Sequence, residues 1–114
     1  MISVREPLLV LFLLSSCTPA SAQNSAGRKL ILEARAANCI DCHRFPNDPG
    51  IATRATVGPE LSVMKARFPD RAQLIARIGD ATAFNPDSIM PPYGKHKILS
   101  EREIGDITDF LYTQ

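Results

Sequence analysis

Cys39-Ile40-Asp41-Cys42-His43 is the stretch on which the rest of the chain turns. Two thiols three residues apart, with a histidine directly after the second, form the attachment signature of c-type haem. On one short turn both sulfurs reach the two vinyl groups of a single porphyrin edge and form thioethers. The adjacent His43 then lies beneath the ring, where its imidazole takes an axial position on the iron. A zinc site needs four Cys or His ligands, and outside the N-terminal segment the chain has only two Cys and two His. A thioredoxin-like redox pair needs a βαβ setting, and no strand pattern lies nearby. The motif therefore predicts one covalent haem c, with Cys39 and Cys42 as its attachment points and His43 as an iron ligand.

The chain has 114 residues, enough for one domain. It opens with Arg5 and an unbroken apolar run, Leu8 to Leu14, too short to span a bilayer and sized for a signal-peptide core. Ala20-Ser21-Ala22 fits the small-x-small cleavage rule. Residues 1–22 are thus expected to be a signal peptide and 23–114 the domain, exported to the periplasm, where bacterial c-type attachment takes place. Leu14-Ser15-Ser16-Cys17 also resembles a lipobox, so a membrane association is expected only if Cys17 carries a lipid.

Net charge is +1, unevenly spread. From Gln23 to Lys97 there are 11 basic and 7 acidic side chains; from Ile98 to Gln114 there are 1 and 4. That is no nucleic-acid signature. It fits a basic face around a cofactor pocket that docks an acidic partner, with Arg44, Lys95 and Lys97 as the charged contacts. The core of so short a chain is modest, and a buried porphyrin would supply apolar contact in a domain without Trp.

Gln23 to Gly27 is small and polar and reads as a linker. From Arg28, Leu30, Ile31, Ala34 and Ala37 fall on one helical face, a helix expected to run straight into the haem motif. Arg44 to Gly58, rich in Pro, Gly, Asn and Asp, reads as a loop. In Gly58-Pro59-Glu60-Leu61 the Pro59 carbonyl is placed to accept the proton on the far nitrogen of His43, fixing its tautomer. The plainer role for Pro59 is to open a helix over 60–67; the two are compatible. Asp70 and Gln73 predict a capping box before a helix ending at Gly79, with Leu74, Ile75 and Ile78 inward. Asp80 to Gly94 is loop, since Pro86, Pro91 and Pro92 forbid a regular helix. Ser100 and Glu103 cap the last helix, Leu99 staples to Ile104, and Ile104, Ile107 and Leu111 form its buried stripe. The fold class is all-α.

The iron needs a second ligand opposite His43. Met64 sits at helical spacing between Leu61 and Phe68, where a methionine is ordinarily core filling. His96, flanked by Lys95 and Lys97, reads as a solvated residue. Met90 lies in the proline-stiffened Ser88-Ile89-Met90-Pro91-Pro92, which holds a thioether with little entropy to lose. Met90 is preferred, with His96 the main rival. A soft thioether raises the potential and suits electron transfer.

The stretch from Phe84 to Ser100, Phe-Asn-Pro-Asp-Ser-Ile-Met-Pro-Pro-Tyr-Gly-Lys-His-Lys-Ile-Leu-Ser, resembles the ligand loop of the SoxX family. That family is the monohaem cytochrome subunit of the SoxAX complex of bacterial sulfur oxidation. Val57-Gly58-Pro59-Glu60-Leu61 and Arg67-Phe68-Pro69 resemble it too, and the similarity runs from about Gly27 to the C-terminus. The resemblance implies a class I cytochrome c-like fold, with Cys39 and Cys42 on the haem, His43 proximal and Met90 distal. It also implies a SoxA-like partner subunit with its own haem. Together they would act as an L-cysteine S-thiosulfotransferase that joins thiosulfate to a cysteine of the SoxYZ carrier, while electrons leave through this chain to a downstream acceptor. Ser62-Val63-Met64 departs from the resemblance, which leads to a glycine after the serine.

The domain's thiols are both consumed by thioethers, and no Ser/His/Asp set or carboxylate pair is placed for catalysis. The expectation is a non-catalytic electron-transfer subunit. The alternatives are a freely diffusing class I cytochrome c shuttle, and an enzyme or sensor whose weak distal ligand yields to a small molecule.

Overall fold

A computed structural model of the chain describes residues 20–114, with 20–23 as backbone alone. The expected leader and Cys17 lie outside the described residues, except for Ala20–Ala22, which form the first turn of a helix. Among the described residues four α-helices follow one another, α1 (Ala20–Leu32), α2 (Met64–Arg67), α3 (Arg71–Gly79) and α4 (Glu101–Leu111), with short 3₁₀ turns at Cys39–Asp41 and Ala81–Ala83. There is no strand among the described residues. The all-helical reading holds.

The first and last helices carry the fold, because α1 packs chiefly across α4. Gly27 stands at the crossing. A β-carbon there would lie 2.7 Å from the Asp106 carbonyl carbon and 2.8 Å from the Phe110 β-carbon. The segment 23–27, expected as a linker, is instead helical. Its small residues let two backbones approach, and the burial gained outweighs the roughly 1 kcal/mol that glycine costs a helix. Ile31 on α1 and Ile107 on α4 are at 0 % and 1 % exposure, each contributing about 1.5–3 kcal/mol by leaving water.

The first helix does not run into the motif at Cys39, as its periodicity suggested. It stops at Leu32, a turn spans 34–37, and Asn38 takes a left-handed conformation (φ 46°) before the 3₁₀ turn. Asparagine tolerates that region. Ala34 is consequently exposed, while Ala37 is buried.

The helix expected over 60–67 is also shorter. Only Met64–Arg67 is helical, and Val63 precedes it with φ 46°. Pro59 therefore opens no helix. Asp70 is the N-cap of α3 as expected, but its carboxylate accepts from Ala72 N–H at 2.9 Å and makes no box with Gln73. Leu74 and Ile78 are buried as expected, and Arg71 ties α3 to Asp109 of α4 at 2.8 Å. The predicted capping box of α4 is complete. Ser100 N–H donates to Glu103 Oε2 at 2.7 Å, and Glu103 N–H to Ser100 Oγ at 3.2 Å. Ile104, Ile107 and Leu111 are buried, joined by Thr108 and Phe110.

Candidate functional site

Between the helices lies a cavity of about 410 Å³, within the range of sites for organic cofactors. Cys39, Cys42 and His43 form part of its wall, and Val57, Gly58, Pro59, Leu61, Met90 and Tyr93 contribute to the rest. The lining is mainly aliphatic and aromatic. The 3₁₀ turn at Cys39–Asp41 brings both sulfurs to that one cavity. Thr53 braces the turn by donating its hydroxyl to the Ile40 carbonyl at 2.7 Å.

His43 is held from behind. Its Nδ1 lies 2.6 Å from the Pro59 carbonyl oxygen. A carbonyl only accepts, so Nδ1 carries the proton and Nε2 keeps its lone pair for a metal. The two strips of chain are fastened on either side of this bond: Gly58 N–H donates to Cys42 O at 2.7 Å, and Leu61 N–H to Arg44 O at 2.9 Å. Gly58 sits so tightly on the imidazole that a β-carbon would overlap the ring. That role for Gly58 escaped the sequence, although its place directly before Pro59 was the available signal.

Burial pushes the Cys39 thiol up to about 12. A redox Cys-x-x-Cys pair needs the opposite shift, toward an accessible thiolate. Among the described residues no group of three or more His, Cys, Asp or Glu could hold a metal ion by itself. The donor set thus fits a haem: Cys39 and Cys42 would hold it through thioethers, and the His43 imidazole would supply a ligand to its iron.

The three residues considered for the opposite side separate clearly. Met90 is half-buried, packs against the core and lines the cavity. Its N–H donates to Ser88 Oγ at 3.3 Å. The loop is anchored further on, where Gly94 and Lys95 N–H both donate to Gly79 O at 3.0 and 3.1 Å. Met64 also lines the cavity, at 2 % exposure, but Arg67 Nη1 lies 3.3 Å from its sulfur. His96 is exposed and outside the cavity wall.

Two arginines that sequence reasoning passed over edge the cavity. Arg77 lies between the rings of Phe68 and Phe84, 5.3 and 4.3 Å from their centroids. Arg67 lies 5.8 Å from the Phe68 centroid and donates to the Glu60 carbonyl at 3.0 Å. The Arg77 pattern has no local signature, because Phe68 and Phe84 flank α3 on either side in the chain; Arg67 has near neighbours, but its spacing does not mark them as partners.

The sequence profile of the cytochrome c family matches residues 25–114. No curated protein matches the chain.

Proposed function

Because this chain belongs to the cytochrome c family, which implies a covalent haem c, we propose that it transfers electrons, with Cys39 and Cys42 as the residues that would hold the haem and His43 and Met90 those that would bind its iron. When bound, haem c supplies a one-electron iron couple. The chain's own residues supply the setting. Cys39 and Cys42 tether the ring, and Pro59 orients the His43 imidazole through its 2.6 Å contact with Nδ1. The aliphatic wall excludes water. The observation that carries the ligand pair is that His43 and Met90 line one cavity, while Arg67 occupies the Met64 sulfur and His96 stays outside. The ferric protein should then show the weak near-red sulfur-to-iron band. Met90→Ala should lose it and His96→Ala keep it; the reverse result would overturn the assignment.

The finer reading is that of a SoxX-like subunit in the periplasm, acting within an L-cysteine S-thiosulfotransferase complex with a SoxA-like partner and a SoxYZ-like carrier. The resemblance of Phe84 to Ser100 supports it. So does the cavity rim, where Val57, Phe84 and Ile89 stand 62 %, 47 % and 81 % exposed, apolar surface suited to being covered by a partner. Of the three cations considered for docking, Arg44 is paired with Glu60 at 3.3 Å and Lys95 with Asp80 at 3.4 Å. Lys97 makes no ion pair among the described residues, which makes it the strongest of the three. The test is a pull-down of the haem-loaded protein from cells grown on thiosulfate. Recovery of a second haem protein in equal amount supports the heterodimer. A monomer that exchanges electrons with respiratory complexes and has no such partner favours the shuttle.

A further inference from the structure

Tyr93 follows Met90 by three residues and is 7 % exposed. A phenylalanine would fill the same space, so the hydroxyl calls for a separate account. It donates to the carbonyl of Ala37, just ahead of the Cys39–Asp41 turn. Ala37 is itself 3 % exposed, and its carbonyl accepts no other hydrogen bond among the described residues. The Tyr93 backbone is also engaged: its N–H donates to Pro91 O at 2.9 Å, and its carbonyl accepts from Leu99 N–H at 3.0 Å. One side chain therefore joins the loop of the distal sulfur to the segment that enters the haem-attachment turn, across a span of 56 residues. Burial pushes the hydroxyl up to about 12, so it remains a donor at ordinary pH.

We infer that Tyr93 is a positioning residue whose hydroxyl clasps the Met90 loop to the attachment segment and keeps the Met90 sulfur engaged. The inference rests on Met90 as the distal ligand. Without the hydroxyl bond the loop keeps its backbone anchors at Tyr93, Gly94 and Lys95 but loses its tie to the attachment segment, and the thioether would swing away more easily. With the hydroxyl bond present, opening the loop leaves the Ala37 carbonyl buried without a partner, and that opposes opening.

The test is imidazole binding to the full-length ferric haem-loaded protein, followed by loss of the near-red sulfur-to-iron band. Tyr93→Phe should bind imidazole about five- to tenfold more tightly than the unaltered protein, the range expected for one hydrogen bond lost on the path to opening. Tyr112→Phe is the matched control. It removes a hydroxyl bond to the Phe68 carbonyl, at 2.7 Å, between residues that do not belong to the Met90 loop. It should leave imidazole affinity unchanged while lowering thermal stability by a similar amount. Unchanged affinity in Tyr93→Phe, or equal gains in both variants, would overturn the inference and leave Met90 as ligand. If the unaltered protein has no sulfur band before titration, the ligand assignment itself fails, and the inference with it.

Discussion

Gly58 lies directly against the imidazole of His43: a β-carbon on it would stand 2.6 Å from Nδ1 and 2.8 Å from Nε2. The same ring is held to the Pro59 carbonyl, so consecutive residues both limit its space and fix its orientation. Gly58→Ala should push the ring off its hydrogen bond and cost about 1–3 kcal/mol, the usual range for overpacking. The expected signs are a lower denaturant midpoint and a mixed-spin ferric spectrum. A variant with the unaltered midpoint and a clean low-spin spectrum would show that the ring has room to move.

At Gly27 two effects oppose each other. Alanine there raises helix propensity by roughly 1 kcal/mol. Its methyl group, however, meets the α4 backbone at Asp106, which cannot rotate aside as a side chain would. Overpacking of about 1–3 kcal/mol wins over the propensity gain, so Gly27→Ala is expected to destabilise and Gly27→Val more so. Equilibrium unfolding of the two variants decides the sign, and a raised midpoint for Gly27→Ala would contradict the close crossing.

Val63 is in the left-handed region at φ 46° and ψ 38° while 59 % exposed. This conformation costs an ordinary L-residue roughly 1–2 kcal/mol, and a β-branched one is the least suited to it. It is also the position where resemblance led to a glycine. Val63→Gly should stabilise the fold by up to about 1 kcal/mol once the greater freedom of the unfolded glycine is set against the strain relieved. Val63→Asn should shift the unfolding midpoint in the same direction, and a fall in both would argue against strain at this site.

Acid should loosen the protein through its loops. The side-chain hydrogen bond from Arg28 holds the Asp48 carboxyl below its usual range. Asp80 is held down by the Thr82 hydroxyl first and by Lys95 after it. Carboxyls depressed in the folded state contribute stability that is full above their unfolded pKa of about 3.9 and is lost as pH falls through the lower folded value. Unfolding midpoints should therefore decline below about pH 4, and Asp48→Asn should flatten that decline. A profile as steep in the variant as in the unaltered chain would exclude the Arg28 pair as a source.

Sequence carried far where a feature is local. Cys39, Cys42 and His43 declare their chemistry by spacing alone, and the Ser100–Glu103 box is written in four consecutive residues. The Pro59 bond was accessible because a ligating histidine ordinarily gives its second ring N–H to a carbonyl or carboxylate acceptor. What stayed hidden depends on distant neighbours. The helical state of 23–27 is decided by Asp106 and Phe110, which no local window contains. The short α2 follows from Pro59 being recruited to His43, so its backbone serves the histidine before it can start a helix. Arg67 at the Met64 sulfur has a near neighbour, yet nothing in its spacing distinguishes it from a solvated arginine.

The crossing of α1 and α4 also bears on how the chain assembles. Gly27 and Phe110 stand near opposite ends of the described chain, so their contact closes almost the largest loop available. Such closure is entropically late and slows folding. Until Phe110 has been made and brought home, the seam over α1 cannot seal. Cys39 and Cys42 lie within that loop and outside the two helices whose contact closes it, so the attachment turn is not itself held by the last contact to form.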